Sequence, residues 1–189
     1  MKNNVYLLSL SDLIDFWEQN EIENFVEPFT NNGLNHDIED FLKHKSIYFE
    51  KANISRTTLI LRNNQIIGYF SIANKPLVID KEAWCNLSIS MKKKLMPGFN
   101  VKNIIPPVSP QAILIGQLGK NYNVDATLDG RELLSLAEAQ VYKAQRISGG
   151  RFAWLECDNE KKLIDFYTSN GYQVLGQTNS TQLLFIKKI

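Results

Sequence analysis

The stretch Ala112-Ile113-Leu114-Ile115-Gly116-Gln117-Leu118-Gly119 is almost wholly apolar. It is too short to cross a bilayer, which takes about 20 apolar residues as a helix, and too apolar for a strand with one face in water. It predicts a strand covered on both faces, hence a sheet with other layers packed on it. From about Gly130 the period changes: Leu133, Leu134, Ala137, Val141 and Ala144 fall on one helical stripe, which Gly149-Gly150 ends. The strand therefore leads through a polar loop into a helix N-terminus, where free N–H groups and about half a positive charge suit a phosphate or pyrophosphate. Every strand-loop-helix junction has such a terminus, so the feature alone selects no ligand.

The rest of the chain supplies the other layers. Leu13, Ile14, Phe16 and Trp17 predict an amphipathic helix after Ser9 or Ser11, and Ile38, Phe41, Leu42, Tyr48 and Phe49 a second from about Asp37, with Asp37 placed to cap its first turn. Thr57–Arg62 and Gln65–Ala73 read as a hairpin turning at Asn63-Asn64, residues that tolerate left-handed backbone. Residues 80–110 are the least regular part, broken by Pro97-Gly98 and Pro106-Pro107, and read as an insertion. Phe152–Cys157 is a further strand, and Glu160–Asn170 a helix stopped by Gly171. Tyr172–Leu175 and Leu183–Lys187 are closing strands. This order predicts an α/β (α+β) fold: one domain over residues 1–189, with a mixed central sheet, flanking helices and an insertion at about 80–110.

A chain of 189 residues buries roughly 70% of its unfolded surface on folding, so it needs neither metal nor disulfide to hold a core. Cys85 and Cys157 lack metal-ligand spacing and read as reduced thiols, and no metal site is expected. The only early apolar run, Val5 to Leu10, is shorter than a signal-peptide core, so the expectation is a cytoplasmic protein with no membrane partner. The net charge of +1 conceals a division: residues 1–50 carry 3 basic and 10 acidic side chains, residues 51–90 carry 5 and 2, residues 91–151 carry 9 and 4, and residues 152–189 carry 4 and 4. An anionic ligand would meet the basic centre, which includes Lys92-Lys93-Lys94, although a solvated helix face explains that run equally well.

Residues 115–134, IGQLGKNYNVDATLDGRELL, resemble without a gap the acetyl-CoA-binding strand, pyrophosphate loop and helix of the GNAT (GCN5-related N-acetyltransferase) superfamily. Leu118 falls on the family's strand leucine and Gly130 on its final loop glycine, three residues before Leu133-Leu134. Asp125 stands where Gln or Arg is usual, and Leu128 replaces the first loop glycine, which narrows the approach to a phosphate. Residues 158–172, DNEKKLIDFYTSNGY, look like the family's N-x-x-A-x-x-x-Y-x-x-x-G-F segment, with Tyr167, Gly171 and Tyr172 in the last three places. Leu163 stands at the alanine, Glu160 at the asparagine, and Asn159 one residue early. Residues 41–79 resemble the helix and hairpin of the branch containing toxins that acetylate aminoacyl-tRNA, where Arg-Thr enters the first strand and Gly-Tyr-Tyr/Phe-Ser opens the second.

The resemblance implies acetyl-CoA as cosubstrate, held by Leu118, Gly119, Lys120, Asp125, Ala126, Thr127, Leu128, Asp129, Gly130, Arg131 and Asn159, with a backbone N–H near Leu118 to Lys120 donating to the thioester carbonyl. It makes Tyr167 the acid toward a thiolate whose conjugate acid has a pKa of roughly 8.5; spacing alone reads the same residue as a core aromatic. Glu156, at a strand end, is the first candidate for a general base, or else a solvent-facing carboxylate. His36 and His44 read as surface residues. A lysine amine with a pKa near 10.4 is neutral in about one molecule in 2,500 at pH 7, against roughly one in seven for an α-amine near 7.8, so a site without a strong base suits an α-amine. Two functions stand open. One is an N-acetyltransferase acting on a primary amine, with aminoacyl-tRNA, a peptide N-terminus or a small metabolite as acceptor. The other is a non-catalytic coenzyme A or nucleotide-binding sensor or partner module of GNAT fold. Residues 80–110 would shape the acceptor cleft or a homodimer contact.

Overall fold

The computed structural model describes residues 5–125, 128–178 and 182–189. Seven strands hydrogen-bond in the order β1-β2-β3-β4-β5-β7-β6. The sheet is mixed, with β4 parallel to β5 and antiparallel pairs on either side. The chain forms two compact units, Met1–Asn74 with Ile115–Gln140 and Lys75–Leu114 with Val141–Ile189.

In the first unit, β1 (Tyr6–Ser9) pairs antiparallel with β2 (Arg56–Arg62), which pairs with β3 (Gln65–Ala73). The hairpin turns at Asn63 and Asn64, whose φ values of 52° and 60° bear out the reading of that dipeptide. The Val5–Leu10 run carries an edge strand that periodicity over so few residues did not reveal. The first helix, α1 (Leu10–Phe16), starts at Ser9, and a second short helix, α2 (Gln19–Val26), follows, opened by a capping box between Glu18 and Glu21. The helix expected from Asp37 is interrupted: α3 (His36–Asp40), a π-helical turn (Phe41–Lys45) and α4 (Ser46–Lys51) run in succession. Its cap is Asn35, whose side chain accepts from Asp37 N at 2.9 Å, so Asp37 lies inside the first turn and is capped rather than capping. Leu10, Leu13, Ile22, Val26, Phe29, Phe41, Leu42 and Ile47 pack on Leu59, Ile66 and Tyr69. Each such side chain fully withdrawn from water contributes roughly 1.5–3 kcal/mol, enough to hold helices too short to be stable alone.

β4 (Ala112–Lys120) begins in the second unit, where Ala112, Ile113 and Leu114 pair with Phe152, Ala153 and Trp154 of β5 (Phe152–Asp158). The expected cover on both faces holds at Ala112, Ile113, Ile115 and Gly119 but not throughout: Gly116 is exposed and Leu114, Gln117 and Leu118 are half-buried. β7 (Gln182–Lys188) pairs antiparallel with β5 and with the edge strand β6 (Gln173–Gln177). Residues 80–110 are more ordered than the composition suggested. Asp80 caps α5 (Lys81–Asn86), Ser88 caps α6 (Ile89–Leu95), and Ile79 bridges Val108. Trp84, Leu95 and Val108 share a core with Leu77, Ile79, Phe152, Trp154, Leu175, Leu184 and Ile186. α7 (Gly130–Ser148) and α8 (Lys161–Ser169) match the two later helices expected, each followed by glycine of positive φ. Among the described residues no helix is long and apolar enough to cross a membrane.

Candidate active site

In the first unit, the end of β4 is fixed from below and from the side. Gly119 is buried, and a Cβ there would lie 2.4 Å from Tyr69 Cε1 and 2.7 Å from Ile38 Cγ2, so nothing larger than glycine fits. The Tyr69 hydroxyl donates to the Ile38 carbonyl at 2.6 Å, and its full burial raises the phenol's pKa well above the ordinary value. The adjacent Gly68 faces the other way, where a Cβ would meet the Gly119 carbonyl at 2.8 Å and Leu128 Cδ2 at 2.9 Å. Beyond β4, Asn121 is buried: its amide donates to Ile66 O at 2.7 Å while its side-chain oxygen accepts from Thr30 N at 3.1 Å and Asn123 N at 2.9 Å. In the sequence Gly68-Tyr69 stands out only through the family resemblance, and nothing local marks Asn121.

The loop positions are less uniform than the family pattern implies. The Leu128 side chain is fully buried against Gly68. Asp125, Asp129 and Arg131 are exposed, and Lys120 extends over the Tyr122 ring at 5.4 Å. The Asp129 carbonyl accepts from Leu133 N at 2.9 Å, which starts α7, and its carboxylate accepts from Arg131 N at 3.3 Å. One first-turn amide is thus taken by a carboxylate. Ala126 and Thr127 lie outside the described residues. Leu128 is turned inward, Gly130 has no side chain, and Arg131 stands exposed in the first turn of α7.

In the second unit, Tyr167 is 9% exposed and sits among aromatic rings, its centroid 5.1 Å from Phe166, 5.8 Å from Tyr172 and 5.5 Å from Phe185. Burial, with a smaller contribution from Cys157, pushes its phenol far above the usual tyrosine value, so it is protonated throughout the physiological range. Cys157 is itself raised to about 11 by burial and by Asp158 and Glu160. Glu156 is next to Cys157 in the chain but stands on the other face of β5. Strand alternation turns Trp154 and Glu156 one way and Leu155 and Cys157 the other. Leu155 pairs with Phe185, which touches Tyr167, whereas Glu156 pairs with Leu184. Glu156 lines a cavity of about 270 Å³ with Trp154, Leu175, Leu184, Ile79 and Lys75. The Trp154 indole donates to Lys75 O at 3.2 Å there. Asn159 is exposed in the turn before α8, and Glu160 rather than Asn159 occupies the N-cap.

The basic run is not one patch. Lys92 folds over Trp84, 5.6 Å from its ring, and donates to Cys85 O at 3.3 Å, while Lys93 and Lys94 are exposed. His44 is exposed on the π-helical turn and His36 exposed at the start of α3, as expected of surface histidines. Among the described residues, no group of three or more His, Cys, Asp or Glu is arranged to hold a metal ion.

No protein-family model matches the chain, and no curated protein does. Solved structures do. The chain is similar to AtaT complexed with acetyl-methionyl-tRNAfMet, with a TM-score of 0.65 and 20% identity over 96% of this chain and 94% of that one. A tyrosine-to-phenylalanine variant of AtaT, bound to the C-terminus of the antitoxin AtaR and acetyl-CoA, gives 0.62 and 16% over 97% and 93%. A tyrosine-to-phenylalanine variant of KacT gives 0.65 and 16% over 95% and 93%. At these identities the likeness is one of fold: the chain shares the fold of AtaT and KacT, a mixed sheet flanked by helices, as the fold class read from the sequence predicts.

Proposed function

We propose that the chain is an acetyl-CoA-dependent N-acetyltransferase whose acceptor is the α-amine of an aminoacyl-tRNA. The observation that carries this reading is the likeness, over 96% of the chain, to AtaT solved with acetyl-methionyl-tRNAfMet. A shared fold does not by itself share chemistry, so the residues must support it, and Tyr167 does. When bound, acetyl-CoA supplies its acetyl group as a thioester. The neutral amine adds to the carbonyl carbon, the C–S bond breaks, and the amine's surplus proton ends on the sulfur as free thiol. The backbone N–H groups at the Leu118–Lys120 end of β4 polarise the carbonyl oxygen. Tyr167, a phenol with a raised pKa, donates a hydrogen bond to the departing sulfur and does not itself ionise. It is correspondingly unsuited to deprotonating the amine. Arg131 and the first turn of α7 hold the pyrophosphate. Glu156, across β5 from Tyr167, serves on the side of its cavity and not beside the phenol.

The test is incubation with labelled acetyl-CoA and a panel of aminoacyl-tRNAs, peptides and free amines, following thiol release. Label transferred to aminoacyl-tRNA in preference to free amines, and lost in Tyr167→Phe, supports the proposal. Efficient acetylation of free amines with none on tRNA overturns the acceptor. A second reading, a module that binds coenzyme A without catalysis, is favoured by one observation: the Asp129 carboxylate occupies a first-turn amide of α7. Calorimetric binding of acetyl-CoA with no thiol release on any acceptor would select it.

A further inference from the structure

We infer that Leu128 is a positioning residue for the coenzyme, seating its side chain in the space that Gly68 leaves by having none and so setting where α7 begins. The inference rests on the acetyl-CoA reading above. Leu128 is wholly buried although it lies in a loop, one residue before Asp129, whose carbonyl accepts the 2.9 Å hydrogen bond that opens α7. A Cβ on Gly68 would come within 2.9 Å of Leu128 Cδ2 and 2.8 Å of the Gly119 carbonyl. One glycine thus lies against both the end of β4 and Leu128 of the loop. Its neighbours Ile67 and Tyr69 are 0% exposed, so this footing belongs to a strand anchored by close-packed side chains.

An ordinary core leucine holds elements together wherever they pack best. Leu128 instead meets backbone at a site with no side chain to move aside, so its length fixes the height of the helix start above β3. Arg131 and the first-turn amides follow, because Asp129 ties Arg131 N at 3.3 Å to the residue next to Leu128. A leucine where the family pattern has glycine is therefore an exchange of one positional device for another: glycine lets a backbone approach a ligand, while Leu128 pins the backbone from behind.

The experiment is calorimetry of the full chain with coenzyme A, alongside steady-state kinetics, for Leu128→Ala and Leu128→Met. Leu128→Ala is expected to weaken coenzyme A binding and raise KM for acetyl-CoA by roughly tenfold or more, with KM for the amine unchanged, since small misplacements of binding groups carry costs of that order. Leu128→Met, which refills the space, restores most of the affinity. Leu128→Val supplies the graded case if alanine prevents folding. A Leu128→Ala protein of lowered melting temperature that binds coenzyme A as the parent does overturns the inference, as does a methionine variant as impaired as alanine. Failure of the parent itself to bind coenzyme A overturns the acetyl-CoA reading and this inference with it, a result seen before any variant is made.

Discussion

The ring of Tyr69 occupies the place where a side chain on Gly119 would go, 2.4 Å from the nearest point such a side chain would reach. Tyr69 is held on its other side by the Phe29 and Phe41 rings, at 5.3 and 6.3 Å, and by its hydroxyl on Ile38. Gly119→Ala therefore overpacks a site with no room to relax and should destabilise the fold by roughly 1–3 kcal/mol or more. Denaturant unfolding reads this directly; an unchanged midpoint would mean that the ring gives way.

Tyr69→Phe separates the ring from its hydrogen bond. The Ile38 carbonyl lies where α3 passes into the π-helical turn, with Phe41 N bonded to both Asp37 O and Ile38 O. A carbonyl captured by a side chain is a physical cause for such a break in the helical ladder. Removing the hydroxyl leaves a half-buried acceptor with less to bind, at about 1 kcal/mol. Amide hydrogen exchange through residues 38–46 should quicken together with that loss, and stability within experimental error of the parent would show that another donor replaces the phenol.

Tyr167→Phe should abolish acetyl transfer while leaving the melting temperature nearly unchanged, since the ring's contacts with Phe166, Tyr172 and Phe185 are kept. The same burial makes a statement about pH. A phenol raised above its ordinary value imposes no fall in rate near neutrality, so kcat/KM should climb with the neutral fraction of an α-amine to a plateau above about pH 8. A falling limb between pH 7 and 9 in the parent enzyme would contradict this assignment.

The two thiols should differ. Cys85 is exposed on α5, whereas Cys157 is buried with its pKa raised to about 11. Iodoacetamide at pH 7.5 should label Cys85 alone in the native protein and both thiols after denaturation, read by mass spectrometry. The unfolded chain ionises this thiol near its ordinary 9.0 while the folded chain keeps the proton to about 11, so stability falls as pH rises between those values. Cys157→Ala should flatten that slope, whatever it does to the stability at pH 7.

Long periodic segments were legible in the residues. The apolar run at β4, the stripe of α7, the asparagine turn at 63–64 and the glycines after α7 and α8 were all read in place, because each rests on a period or a backbone preference that local sequence expresses. Short elements were not. β1, α2 and the break of the second helix into α3, a π-helical turn and α4 are set by partners far along the chain, such as the Tyr69 hydroxyl on Ile38. Residues 80–110 looked irregular because their caps and breakers stand out, whereas their contribution to the core, Trp84, Leu95 and Val108, is scattered.

The residues alone were enough to choose the fold class, the order of most elements and the resemblance that names Tyr167, since those depend on patterns within windows of ten to twenty residues. Tertiary structure decided what the named residues face. Leu128 was expected to crowd a phosphate and is buried against Gly68; Glu156 and Tyr167 were paired as catalytic candidates and stand on opposite faces of β5. The physical reason is the same in both cases. Which way a side chain points depends on the face it occupies and on the partner that leaves room for it, and Gly68, 60 residues before Leu128 in the chain, leaves that room only once β3 and the loop are packed together.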